Sequence, residues 1–230
     1  MSGKFSVNRQ QQITQQEAWA LVAYADRINR GQYIKFPEYN QDTGEITVRP
    51  NRDLVREQLV MGMLDINDAD RALGEKMYDH FRGLAFAVLG GQRFTNYDQK
   101  IMNLISKDTV PAGLSMVYLA PMAARYRREL EREEKNEVLE KIGITSVHQG
   151  PIGSPFTGKM VVVNKFVGKT FPGSVVKATD GNNFYFWTSN KMVDVWPPAP
   201  TPFAIRATVK AHGQTREGYA ETRLTRVKMV

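Results

Sequence analysis

The 230-residue chain contains no cysteine. That excludes disulfides, thiol nucleophiles and cysteine-ligated zinc. Histidine is also scarce: His80, His148 and His212 lie far apart, and none stands in a metal-ligand spacing such as HExxH. No GxSxG and no P-loop occurs. No run of about 18 apolar residues is present, so no transmembrane helix and no membrane partner is expected. The opening MSGKFSVNRQQQ lacks the apolar stretch of a secretory signal. A cytoplasmic chain without metal or other cofactor is therefore the expectation.

Acid is scarce in the C-terminal third. Residues 1–150 hold 20 Lys+Arg and 20 Asp+Glu, whereas residues 151–230 hold 11 and 4. The whole net charge of +7 thus belongs to the last third. A neutral part joined to a basic part suggests two jobs, the second directed at an anion, most simply nucleic acid.

The neutral part reads as helices. TQQE at 14–17 has the pattern of a capping box, with Trp19, Val22, Ala23 and Ile28 behind it at helical spacing and Gly31 as a stop. YIKF and EITV flank the turn-rich PEYNQDTG, which predicts a small hairpin within 33–48. Asn51 is expected to cap a helix carrying Leu54, Val55, Leu59, Val60 and Met63. NDAD at 67–70 should cap the next, with Leu73, Met77, Phe81, Leu84 and Val88, ending at Gly90-Gly91. TNYD at 95–98 opens another, and Pro111 suits a first helical turn. Pro121 should break the chain before a highly charged helix from Met122 to Lys141, supported by ion pairs three or four apart. GGQRF at 90–94 lacks the strand and spaced glycines of a nucleotide loop and reads as a helix stop.

From about Ser146 the texture changes to strands. KMVVVNKFV, GSVVKAT, NFYFWTS, FAIRATVKAH and ETRLTRVKMV are separated by turn signals such as DGN and HGQTREG. Five short strands at this spacing predict a small closed or partly closed barrel. In FAIRATVKAH, Phe203, Ile205, Ala207 and Val209 share one face, and Arg206, Thr208 and Lys210 the other. The aromatic strand FYFW splits into Phe184/Phe186 and Tyr185/Trp187 by parity. With Lys177 and Lys191 bracketing it, Tyr185 and Trp187 are expected on the outer face, stacking on unpaired bases. The alternative is that they lie under the helical domain, where Tyr and Trp often fill half-polar contacts.

The segments HQGPIGSPFTGKMVVVNKF, ATDGNNFYFWTSN and IRATVKAHGQTREGYAETRLTRVKMV form an ordered set over residues 146–230. Together they resemble an OB-fold-like domain of bacteriophage nucleic-acid-associated proteins. The most specific piece is Thr208-Val209-Lys210, His212, Thr222 and Leu224-Thr225-Arg226-Val227-Lys228. Relatives often carry a cysteine-rich segment that this chain lacks. The resemblance implies nucleic-acid binding, with His212 at a turn or a phosphate, and a host cytoplasm if the chain is viral. The whole chain looks like a phage single-stranded-DNA-binding protein.

The expected fold class is therefore α+β: a mainly helical domain over 1–145, then a small antiparallel five-stranded OB-like β-barrel over 146–230. The expected function is non-enzymatic, weakly selective binding of single-stranded DNA in phage replication, recombination or transcription. DNA is not separated from RNA. The expected nucleic-acid contacts are Lys177, Tyr185, Trp187, Lys191, Arg206, Lys210, His212, Arg223 and Arg226. The helical domain would bind a replication or transcription protein, or another copy of the chain. Two alternatives stand beside this reading: a protein-binding adaptor or RNA polymerase cofactor, and a metal-dependent nucleic-acid enzyme with scattered carboxylates.

Overall fold

A computed structural model describes residues 11–87 and 95–230. The expected helix stop at Gly90-Gly91 lies outside those residues. The chain divides into two compact units, Met1–Glu131 and Arg132–Val230. The division falls within the charged helix rather than at its end, where the sequence texture changes.

The first unit is helical. Its helices are α1 (Gln15–Ile28), α2 (Asn51–Val60), α3 (Asp68–Ala87), α4 (Asn96–Ile105), α5 (Leu114–Leu119) and the start of α6 (Met122–Thr145). Thr14 and Glu17 form the reciprocal capping box of α1, and Thr95 and Asp98 that of α4. Asn67 and Asp70 exchange the same pair of bonds ahead of α3. Asn51 does not cap α2. It is the first helical residue, buried, and its Oδ1 accepts from Ile34 N and Asn29 Nδ2. Pro111 ends a short strand instead of starting a helix: β4 (Thr109–Pro111) pairs with β1 (Gln12–Thr14). Between them in sequence, β2 (Glu38–Tyr39) and β3 (Ile46–Val48) form an antiparallel hairpin.

The core of this unit centres on α1, whose residues from Ala18 to Ala25 are all buried. Trp19 stacks on Phe81 of α3 with ring centroids 5.6 Å apart. Charged α6 residues are tied down here: Arg127 pairs with Asp26, and Arg125 bridges Asp98 and Glu129.

The second unit is a closed five-stranded barrel preceded by the C-terminal half of α6. Its strands are β5 (Pro155–Val167), β6 (Ser174–Thr179), β7 (Phe184–Ser189), β8 (Pro202–Gln214) and β9 (Ala220–Met229). Around the barrel the order is β5-β6-β7-β9-β8. The expectation of an antiparallel barrel needs one correction, because β7 and β9 run parallel. The other four seams are antiparallel. A closed ring with an odd number of strands cannot alternate direction all the way round, so one seam has to be parallel.

Candidate nucleic-acid interface

The aromatic strand β7 turns out opposite to the expected sense. Tyr185 and Trp187 are each 1% exposed and lie in the barrel core with Met160, Val176, Ile205 and Leu224. They are not base platforms. The Tyr185 hydroxyl donates to Asp180 Oδ2 at 2.7 Å, which satisfies the buried phenol. Trp187 packs edge-on against Trp196, centroids 5.3 Å apart, and its Nε1 finds no hydrogen-bond partner among the described residues. Trp196 is itself fully buried and donates to Ser174 Oγ at 2.8 Å.

Register explains the sense. Asp180 closes the DGN turn by accepting from Asn182 N and Asn183 N. That turn places Lys177 opposite Phe186, and Val176 opposite Trp187. Cross-strand partners share a face. A cation at 177 must face outward, so Phe186 does too.

The outward row continues across the parallel seam, where Phe186 is the partner of Arg223. Lys177, half-buried Phe186 and exposed Arg223 thus form one line over β6, β7 and β9. The Arg223 guanidinium lies 5.9 Å from the Phe186 ring centroid, within cation–π range. It also crosses Gly213, where an added Cβ would come within 2.7 Å of Arg223 Nε. Glycine at 213 leaves room for that side chain.

The remaining expected cations are on the same barrel. Arg206, Lys210 and Arg226 are exposed on β8 and β9. Lys210 sits at the β-bulge opposite Arg223 and Leu224, and Arg226 adopts a positive φ of 55° beside the second bulge. Arg206 faces Lys228 directly, a like-charged pair that an anion would relieve. Lys191 lies past the far end of β7, its Nζ 5.8 Å from the Trp196 ring centroid. Among the described residues, Lys177, Lys191, Arg206, Lys210 and Arg226 form no ion pair.

His212 is engaged differently. Its ring stacks on His148 at 4.5 Å, and its Nε2 bonds to Gly150 O while that of His148 bonds to Gly213 O. The two imidazoles clasp the chain before β5 to the end of β8.

Glu221 was not singled out from the sequence. It is 4% exposed, yet it lies on the outer side of β9, opposite Phe184. Burial pushes its carboxyl above the usual value, with Lys177 and Arg223 pulling part of the way back.

No cluster of three or more metal-ligating side chains occurs among the described residues, and none of their helices is long and apolar enough to cross a membrane. Compared with protein-family models, with curated proteins and with solved structures, the chain matches none of them.

Proposed function

We propose that the second unit is an OB-like barrel that binds single-stranded nucleic acid, DNA in the first instance, on its outer face. The strand order, with its single parallel seam between the third and fifth strands, supports the OB-like reading. In that architecture the face of strands two and three receives oligonucleotides. Here those strands are β6 and β7, which carry Lys177 and Phe186.

The observation that carries the proposal is the row Lys177–Phe186–Arg223. Two cations flank an outward aromatic ring, so a base can stack on Phe186 while its phosphates meet Lys177 and Arg223. Stacked bases inside a duplex cannot use the ring in this way, so single strands are preferred. Arg206, Lys210, Arg226 and Lys191 extend the cationic track. The resemblance to phage nucleic-acid-associated proteins supports a role in replication, recombination or transcription. Exposed Phe36, Tyr39 and Ile46, on and beside the hairpin of the first unit, support a protein partner there.

Fluorescence anisotropy of the full chain with a labelled single strand tests this. The double variant Lys177→Ala/Arg223→Ala should bind at least about tenfold more weakly at moderate salt, through lost phosphate contacts. Unchanged affinity would remove this face from the interface.

A further inference from the structure

Beside the cationic row, the second unit contains a cleft of about 500 Å³. Its walls are the C-terminal half of α6, the outer sides of β5 to β7 and the β8–β9 turn. The helix wall is set close at one end, where an added Cβ on Gly143 would fall 2.5 Å from the Tyr219 ring. Tyr219 in turn stacks on Phe184, centroids 6.3 Å apart and 30° between planes. The volume is that of a small-molecule pocket.

Three features of the lining point to one kind of occupant. Tyr219 is half-buried and offers an aromatic surface. The charged lining is mixed: Arg132 and Lys177 stand among Glu140, Glu217 and Glu221, so the cleft suits the neutral, donor-bearing edge of a base rather than a phosphate, and Lys177 is shared with the row described above. Glu221 lines the cleft while almost wholly removed from solvent, and its nearest cation, Arg223 Nε, is 3.6 Å away, too far for a hydrogen bond. An ionised carboxylate is acceptor-only and is best satisfied by two parallel donors. Among the bases, guanine alone presents two adjacent N–H donors on its pairing edge. Adenine and cytosine pair one donor with an acceptor, and thymine flanks one donor with two carbonyls.

We propose that one unpaired guanine of a bound strand enters this cleft, its N1–H and 2-amino group donating to the Glu221 carboxylate. The purine lies beside Tyr219, whose ring already rests on Gly143 and Phe184, and the strand's backbone passes the Lys177–Phe186–Arg223 row. This inference rests on the proposed binding of single strands and adds one selective position to an otherwise tolerant track.

The test is anisotropy of the full chain with labelled oligothymidine strands, either unbroken or carrying one central deoxyguanosine, deoxyinosine or deoxycytidine. Deoxyinosine lacks the 2-amino group. The guanosine strand should bind about tenfold more tightly than the all-thymidine strand, the worth of hydrogen bonds to a charged acceptor. The cytidine strand should match all-thymidine, and the inosine strand should fall short of the guanosine strand. Glu221→Gln should erase the guanosine preference, bringing the ratio of guanosine-strand to oligothymidine affinity to about one, whatever the change in oligothymidine affinity from removing a charge beside Arg223. Equal binding of all four strands by the wild-type chain would overturn the guanine site while leaving single-strand binding intact. So would a preference that survives in Glu221→Gln. Failure to bind any strand would overturn both proposals. The comparison among strands uses the wild-type chain and does not depend on the folding of a variant.

Discussion

Arg223 and Phe186 are partners across the barrel's one parallel seam, and the guanidinium stands 5.9 Å from the ring centroid. The contact holds a flat aromatic and a fixed charge side by side on an outer surface. It gives the ring a role that its buried neighbours Tyr185 and Trp187 cannot take.

Phe186→Ala should therefore weaken single-strand binding by roughly 1–3 kcal/mol, the worth of one base–aromatic stack. Thermal unfolding should change little, because the ring is only half-buried. Anisotropy and a melting curve on the same preparation check both statements.

Trp187→Ala should act the other way. Its side chain is 1% exposed and packs on Trp196 in the middle of the barrel. Truncation should cost roughly 3–5 kcal/mol, as for large aromatic side chains elsewhere. Urea denaturation should show the loss, and any fall in binding should follow the fraction unfolded.

Much of this was legible in the sequence, and the errors have physical causes. The capping box at Thr14–Glu17, the helix start at Thr95, the hairpin near residue 40 and five strands follow from local rules that act over a few residues. The facing of β7 does not, because the parity of FYFW alone is symmetric between inside and outside. The deciding information lay one strand away: the turn at Asp180 pairs Lys177 with Phe186, so an outward lysine demands an outward Phe186. That hairpin cannot put Lys177 and Trp187 on one face. Pro111 looked like a helix start because its ring suits a first turn, but pairing of β4 with the distant β1 prevailed. Glu221 carried no local signal at all. It shares its cleft with α6, an element that lies far away in the sequence and outside any short window around it.

Acid should weaken the barrel through Asp180. Burial alone would raise its pKa, but the Tyr185 hydroxyl and the Asn182 and Asn183 amides outweigh this and hold it below the ordinary 3.8. A folded value below the unfolded one contributes stability above pH 3.8 that is lost as pH falls through the folded value. Asp180→Asn should lower stability at neutral pH and flatten the loss below about pH 4, as read from denaturation at several pH values.

Glu221 should show the opposite sign. Its raised pKa means that the folded state holds the proton more tightly than the unfolded one. Stability should then fall as pH rises through the unfolded value of 4.5 and remain lower above the folded value. Glu221→Gln should unfold at higher temperature than wild type at neutral pH, with the gain vanishing below pH 4.5.

The most direct test of the central claim is the salt dependence of binding. The full chain should be titrated against a labelled single strand and a duplex of the same sequence at several salt concentrations. The account expects the single strand to bind more tightly, with affinity falling linearly in log–log form by about 0.7 per phosphate contacted. The slope should shrink when Arg206, Lys210 or Arg226 is replaced by alanine. Salt-independent binding, or equal affinity for duplex and single strand, would contradict it.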